Sequence, residues 1–342
     1  EDVFQVCVVG NTCMHHLFLG ISPASLVHAP YTPAVSERLV LNAGDYGLAV
    51  QERAELIMLS DIAGYVGADT CGCLLAIRQD QQEEISLMID IGTNGEMVLG
   101  NRERMVTCST AAGPAFEGAK IECGMRGAAG AVDHVKYEDG KWNYTTVGNK
   151  PAVGLCGSGL IDLVAGLLDA GMLDENGVLR SGQEKQGVFI LVPPERGGNE
   201  RGVYLTQKDL GEVQLAKAAI AAGIQMLMER LGITEDDICS VYIAGAFGNY
   251  MDPVSAGKIG LLPATLVKKV KPVGNAAGEG AKIALVNEKE MLEMDELVRK
   301  IEFVELAASA DFLGSFYLMN WDLRQVNDFI RLIELLRSAD FF

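Results

Sequence analysis

The stretch Met88-Ile89-Asp90-Ile91-Gly92-Thr93-Asn94-Gly95-Glu96 sets a carboxylate at the end of an apolar run. It then turns the chain through two glycines and two small polar residues. Glycine lets the backbone take positive φ and approach a ligand with no Cβ in the way. Successive amides in such a turn converge into an anion-binding nest. Gly92, Thr93, Asn94, Gly95 and Glu96 are therefore candidate phosphate contacts, with Thr93 and Asn94 adding side-chain donors. Asp90 is placed to orient a hydrated magnesium ion, which is usually held through one or two carboxylates and phosphate oxygens. A plain hairpin fits the same residues, since Asn-Gly is the strongest short hairpin signal.

Three further glycine-rich turns have chemistry to offer. Ile243-Ala244-Gly245-Ala246-Phe247-Gly248-Asn249 ends a strand in small residues, a flat floor for a planar base; Phe247 either packs on that base or fills the core. Gly113-Pro114 is expected to lead into a short helix, whose N-terminus would favour an anion, and Glu117 is a candidate water- or metal-orienting acid. Gly157 and Ser158 precede a helix and can offer amides. For these last two turns, tight packing of helix on sheet is an equal alternative. None of the four is G-x-G-x-x-G, so a dinucleotide fold finds no support.

The chain must build elements that bring these turns together. Its 342 residues suit two domains, and 49% apolar with 6% aromatic residues reads as an α/β enzyme-like chain. A net charge of −18 argues against nucleic acid or an anionic membrane as partner. No apolar run approaches the roughly 20 residues of a membrane span. The opening EDVFQVCVVG has no basic n-region, so a cytoplasmic location is expected. The eight cysteines include one close pair, Cys71-Gly72-Cys73, and read as buried thiols of a reducing compartment. His15, His16, His28 and His134 form no evident metal set.

Strands are expected at residues 6–9, 54–60 and 241–244, with an antiparallel meander at 85–91, 97–99 and 105–109. A hairpin with Asp139-Gly140 at its turn is expected within 131–148. Helices are expected at 14–19, 68–77, 158–170, 214–231, 276–287 and 307–319, with a terminal amphipathic helix over 321–342. Residues 180–202 read as a charged, flexible loop. The echo between DIAGYVGAD (61–69) and YIAGAFGNY (242–250) suggests two related lobes, or chance among small residues.

DIGTNGE, STAAGPAFEGA (109–119), GMRGAAGAVDHV (124–135), GLCGSGLID (154–162) and YIAGAFGNYMDP (242–253), preceded by VVGNTCMHHLFLGI (8–21) and APYTPAV (29–35), together resemble the ATPase part of the reductive activators of corrinoid proteins. These belong to the acetate and sugar kinase, heat-shock protein and actin superfamily, and the likeness spans roughly residues 6–320. It implies α/β, actin/sugar-kinase-like (ribonuclease H-like) lobes with mixed sheets flanked by helices, clasping ATP and Mg2+. DIGTNGE would be a phosphate loop and IAGAFGN the adenosine-contacting loop. The family drives an electron from a [2Fe–2S] centre onto the cobalt of a partner corrinoid methyl-transfer protein, restoring Co(I). The family's ferredoxin-like domain and first phosphate loop have no match here, so a ferredoxin-like domain is expected in cis or trans. Residues 1–84 are expected to be the remainder of an incomplete first lobe, 85–320 a complete second lobe, and 321–342 a C-terminal helix of unclear role. A homodimer is compatible. The alternatives are a small-molecule kinase of the same superfamily, with Asp90 or Glu117 as base, and a noncatalytic partner-docking module.

Overall fold

The computed structural model describes residues 2–180, 187–245, 248–306 and 309–321. The chain begins with β1 (Gln5–Val8), α1 (Thr12–Phe18), β2 (Leu39–Asn42), β3 (Glu55–Met58) and α2 (Ala68–Ile77). The three strands form one sheet in the order β1-β3-β2, with β1 parallel and β2 antiparallel to β3. The Asp61 carboxylate accepts the Ala68 amide at 2.9 Å, satisfying an otherwise orphaned donor in the first turn of α2.

The meander follows as β4 (Ser86–Ile91), β5 (Gly95–Gly100) and β6 (Met105–Thr110). Next come the hairpin β7 (Ala131–Glu138) and β8 (Lys141–Thr146), then β9 (Gly154–Leu155) and α3 (Gly157–Asp169). Asp139 and Gly140 take positive φ at the hairpin turn, as Asp-Gly favours. Residues 180–202, expected as a loop, contain β10 (Val188–Val192), which pairs antiparallel with β11 (Val203–Thr206). Residues 181–186 lie outside the described part.

The helix α4 (Gln207–Leu231) starts seven residues before its expected position. Thr206 and Asp209 form a reciprocal capping box, with each side chain accepting the other's amide, and the helix closes on Gly232 in the left-handed conformation. The remaining elements are β12 (Ser240–Ala244), α5 (Pro253–Lys258), β13 (Val270–Gly274), α6 (Ala276–Val286), α7 (Glu288–Val298), β14 (Glu302–Phe303) and α8 (Ala310–Trp321). The expected terminal helix falls almost wholly outside the described residues.

The central sheet has six strands in the order β13-β12-β4-β5-β6-β14. Here β4, β12 and β13 run parallel, so their carboxyl ends lie side by side: Ala244 stands opposite Asp90 on one side and Gly274 on the other. Strands β4 and β5 are buried on both faces, which explains their unbroken apolar runs. Side chains alternate between faces. Leu87, Ile89, Met97 and Leu99 pack with α3 and α4, whereas Met88 and Val98 pack with Leu74 and Leu75 of α2, Ala284 of α6 and Met291 of α7.

Candidate functional site

The candidate site lies where β4 and β12 end. Between β4 and β5 the chain turns through residues 92–94, with the Gly92 amide donating to the Asn94 carbonyl at 2.9 Å. Among the described residues no acceptor is found for the Thr93 and Asn94 amides, and Thr93 is exposed. The Gly113 amide, at a φ of +77°, donates to the Thr93 carbonyl at 2.8 Å and joins the 111–118 loop to this turn. The Thr93 hydroxyl donates to both oxygens of Glu117, at 3.1 and 3.2 Å. Pro114 and Glu117 sit in consecutive turns and not in the short helix that the Gly-Pro pair suggested.

The Asp90 carboxylate is held from two sides. Its Oδ2 faces the Cys73 thiol of α2 at 3.8 Å, and its Oδ1 would lie 2.9 Å from a Cβ at position 245. Gly245 takes a φ of +88°, and its amide donates to the Gly274 carbonyl at 2.9 Å. This places Gly245 against the acid of the phosphate-type turn, beyond the base-floor role read from sequence. Ala246 and Phe247 lie outside the described residues. Gly248 folds back on the end of β12, where a Cβ would crowd Ile243, and Asn249 packs against Gly274.

Glu96 stands opposite Asp90 in the β4–β5 register and accepts the Ser109 hydroxyl at 3.2 Å. Burial, and after it the carboxylates of Asp69 and Asp90, push Glu96 up to about 8. Burial also lifts Asp69, on the first turn of α2, to about 6, with Asp90 and Asp61 adding to the rise. Asp90 is raised by burial, against which the Cys73 hydrogen bond works. Their carboxyl oxygens are hard donors of the kind magnesium takes. Among the described residues no three His, Cys, Asp or Glu side chains form a preformed metal cluster. A cation here would rest on Asp90 together with water or ligand oxygens, the way magnesium accompanies a phosphate.

Residues 84–327 match the family model described as the C-terminal domain of RACo, the ASKHA domain, and residues 1–82 match the RACo middle region. The chain belongs to the RACo family. The corrinoid activation enzyme RamQ of Eubacterium limosum is 36% identical over 335 residues, covering 94% of this chain and 56% of the relative. The [Co(II) methylated amine-specific corrinoid protein] reductase of Methanosarcina barkeri is 29% identical over 296 residues, covering 80% of this chain and 52% of the relative. A solved reductive activator for a corrinoid, iron-sulfur protein superposes with a TM-score of 0.88 at 37% identity, covering 95% of this chain and 53% of that one. The chain thus spans about half the length of the relatives it matches.

Two other motifs of this RACo-type chain have packing explanations. Gly157 and Ser158 open α3, which lies on β7: the Cys156 thiol donates to the Val132 carbonyl at 3.3 Å, and a Cβ at Gly159 would overlap that same carbonyl. Ser158 is buried beside Cys156. Gly95 is required by α4, since a Cβ there would press on Thr110 and Ile220. The echoed I-A-G triplets also differ in place. Residues 243–245 end β12, whereas residues 62–64 form a turn beyond β3, bridged from Ala63 to Val66. His16 is satisfied at both ring nitrogens, donating from Nδ1 to the Thr12 carbonyl and accepting the Ala34 amide at Nε2. Sequence reasoning missed Asp69 and Cys73 as neighbours of Asp90. The only signal was that both lie on the helix following the first glycine echo.

Proposed function

We propose that this chain is the ATP-binding part of a reductive activator, in which nucleotide-driven closure promotes electron transfer from an iron–sulfur centre to the Co(II) corrinoid of a methyl-transfer protein, restoring Co(I). The observation that carries this reading is the joint strand end: the Asp90 carboxylate, the open Thr93 and Asn94 amides, and a Gly245 whose lack of a side chain keeps Asp90 uncrowded. The similarity to RamQ, a corrinoid activation enzyme, and to the methylated-amine corrinoid protein reductase supports it. The iron–sulfur centre would belong to a ferredoxin-like domain in cis or trans. The lobe division remains as read from the sequence, at about residue 84.

Bound Mg2+–ATP would supply the phosphoryl charge and the cleavable bond that drive closure. The chain's own residues do the rest. Thr93 and Asn94 offer amides to phosphoryl oxygens, compensating for the chain's negative charge with local dipoles. Asp90 orients the cation. The Glu117 carboxylate, held by the Thr93 hydroxyl at 3.1 Å, is placed to orient a water. Asn249, with Ala246 and Phe247, is assigned to the adenosine side.

Two measurements test the reading in the protein that carries this chain. Calorimetry with a non-hydrolysable ATP analogue should show Mg2+-dependent binding. Reduction of a Co(II) corrinoid protein, followed by visible absorbance, should be stimulated by ATP. Asp90→Ala is expected to abolish that stimulation; undiminished stimulation would refute the assignment.

A further inference from the structure

The Cys71-Gly72-Cys73 motif has no part in the function proposed so far, yet its three residues face three different neighbours. Residues two apart on a helix point to nearly opposite sides. A Cβ at Gly72 would meet the Ala277 carbonyl of α6 at 2.6 Å, and one at Gly280 would overlap the Gly72 carbonyl, so α2 and α6 touch backbone to backbone. Cys71 is wholly buried on the other side of α2. Cys73, also wholly buried, points its thiol at Asp90.

We propose that Cys73 is a positioning residue for Asp90: its S–H, 3.8 Å from Oδ2, fixes the carboxylate against Gly245 in the orientation that meets the cation of a bound nucleotide. This rests on the nucleotide reading above. The backbone contact at Gly72 fixes the height of α2, and with it the thiol. Buried beside the Asp90 carboxylate, the Cys73 thiol is placed to donate to it. A thiol is a weak donor. It can direct the carboxylate without neutralising the charge that a cation needs.

The test is nucleotide-analogue binding by calorimetry in the protein that carries this chain, with Mg2+ and with EDTA. Cys73→Val keeps the volume and removes the donor. It should weaken Mg2+-dependent binding about tenfold, at the lower end of the usual effect of removing an outer-shell partner, and leave binding in EDTA unchanged. Cys73→Ser, a donor of similar size, should stay within about twofold of the parent, as rescue by a hydrogen bond requires. Cys71→Val, an equal change one position beyond Gly72, should leave Mg2+ dependence intact. Unchanged binding in Cys73→Val, or equal losses in the Val and Ser variants, overturns the role of Cys73. Asp90→Asn separates the two readings. If it leaves the Mg2+ dependence untouched, the nucleotide assignment fails and this one with it; if it removes that dependence while Cys73→Val does nothing, only the role of Cys73 falls.

Discussion

Glu96 is buried among like charges, and its raised pKa has a consequence for stability. The folded state holds the proton up to about pH 8, whereas the unfolded chain releases it near 4.5. The folded state therefore binds more protons between those values, so this contribution is complete below about 4.5 and is lost as pH rises through about 8. Glu96→Gln should raise the melting temperature relative to the parent more at pH 8.5 than at pH 5.5, measured in EDTA without nucleotide. A pH-independent difference would remove Glu96 from that role. At Gly245 two penalties add: a φ of +88° and a Cβ 2.9 Å from Asp90 Oδ1. Gly245→Val should cost about 1–3 kcal/mol of stability in urea titration and abolish measurable Mg2+–nucleotide binding by calorimetry. The sequence marked both Asp90 and Gly245 but not their contact, because they lie far apart in the chain and meet only when β12 docks on β4. Asp69 and Cys73 were illegible as neighbours of Asp90 because they meet it only when α2 packs on the sheet.

Elements were legible where local signals agreed. The span of α2 was read correctly because Gly67 precedes it and a polar turn follows it. The meander was read from its apolar runs and tight turns. The start of α4 was missed because Gly211 interrupts the helical pattern, while Thr206 and Asp209 reveal it only as a reciprocal pair. Thr206→Ala should cost about 1 kcal/mol, read from the urea midpoint at constant slope. β10 was hidden by the prolines and glycines that follow it; α7, EKEMLEMDELV, went unread although Met291, Met294 and Val298 recur at helical spacing. The contact between α2 and α6 allows no added atom. Gly280→Ala should separate the helices and cost about 1–3 kcal/mol, with a comparable loss for Gly72→Ala; the double variant should cost less than the sum, since one separation relieves both.

At the scale of the molecule, the chain carries −18 while its proposed ligand is a polyanion. Long-range repulsion should slow nucleotide association at low salt and relax as screening grows. Stopped-flow with a fluorescent ATP analogue should therefore show an association rate that rises with ionic strength. A falling rate would mean that a basic patch elsewhere guides the approach.

The second hydrophobic core belongs to both family regions: Ile57, Leu59, Leu74 and Leu75 from the first meet Met88, Val98, Met291 and Met294 from the second. Helix α7 clamps the same junction. Asp295 accepts from the Arg38 guanidinium at 2.8 Å and the Ser60 hydroxyl at 2.9 Å, and Arg78 pairs with Glu290. A gene split between the two family regions, near residue 83, would thus produce two halves that each expose a greasy flank to water, and neither would be expected to survive purification without the other.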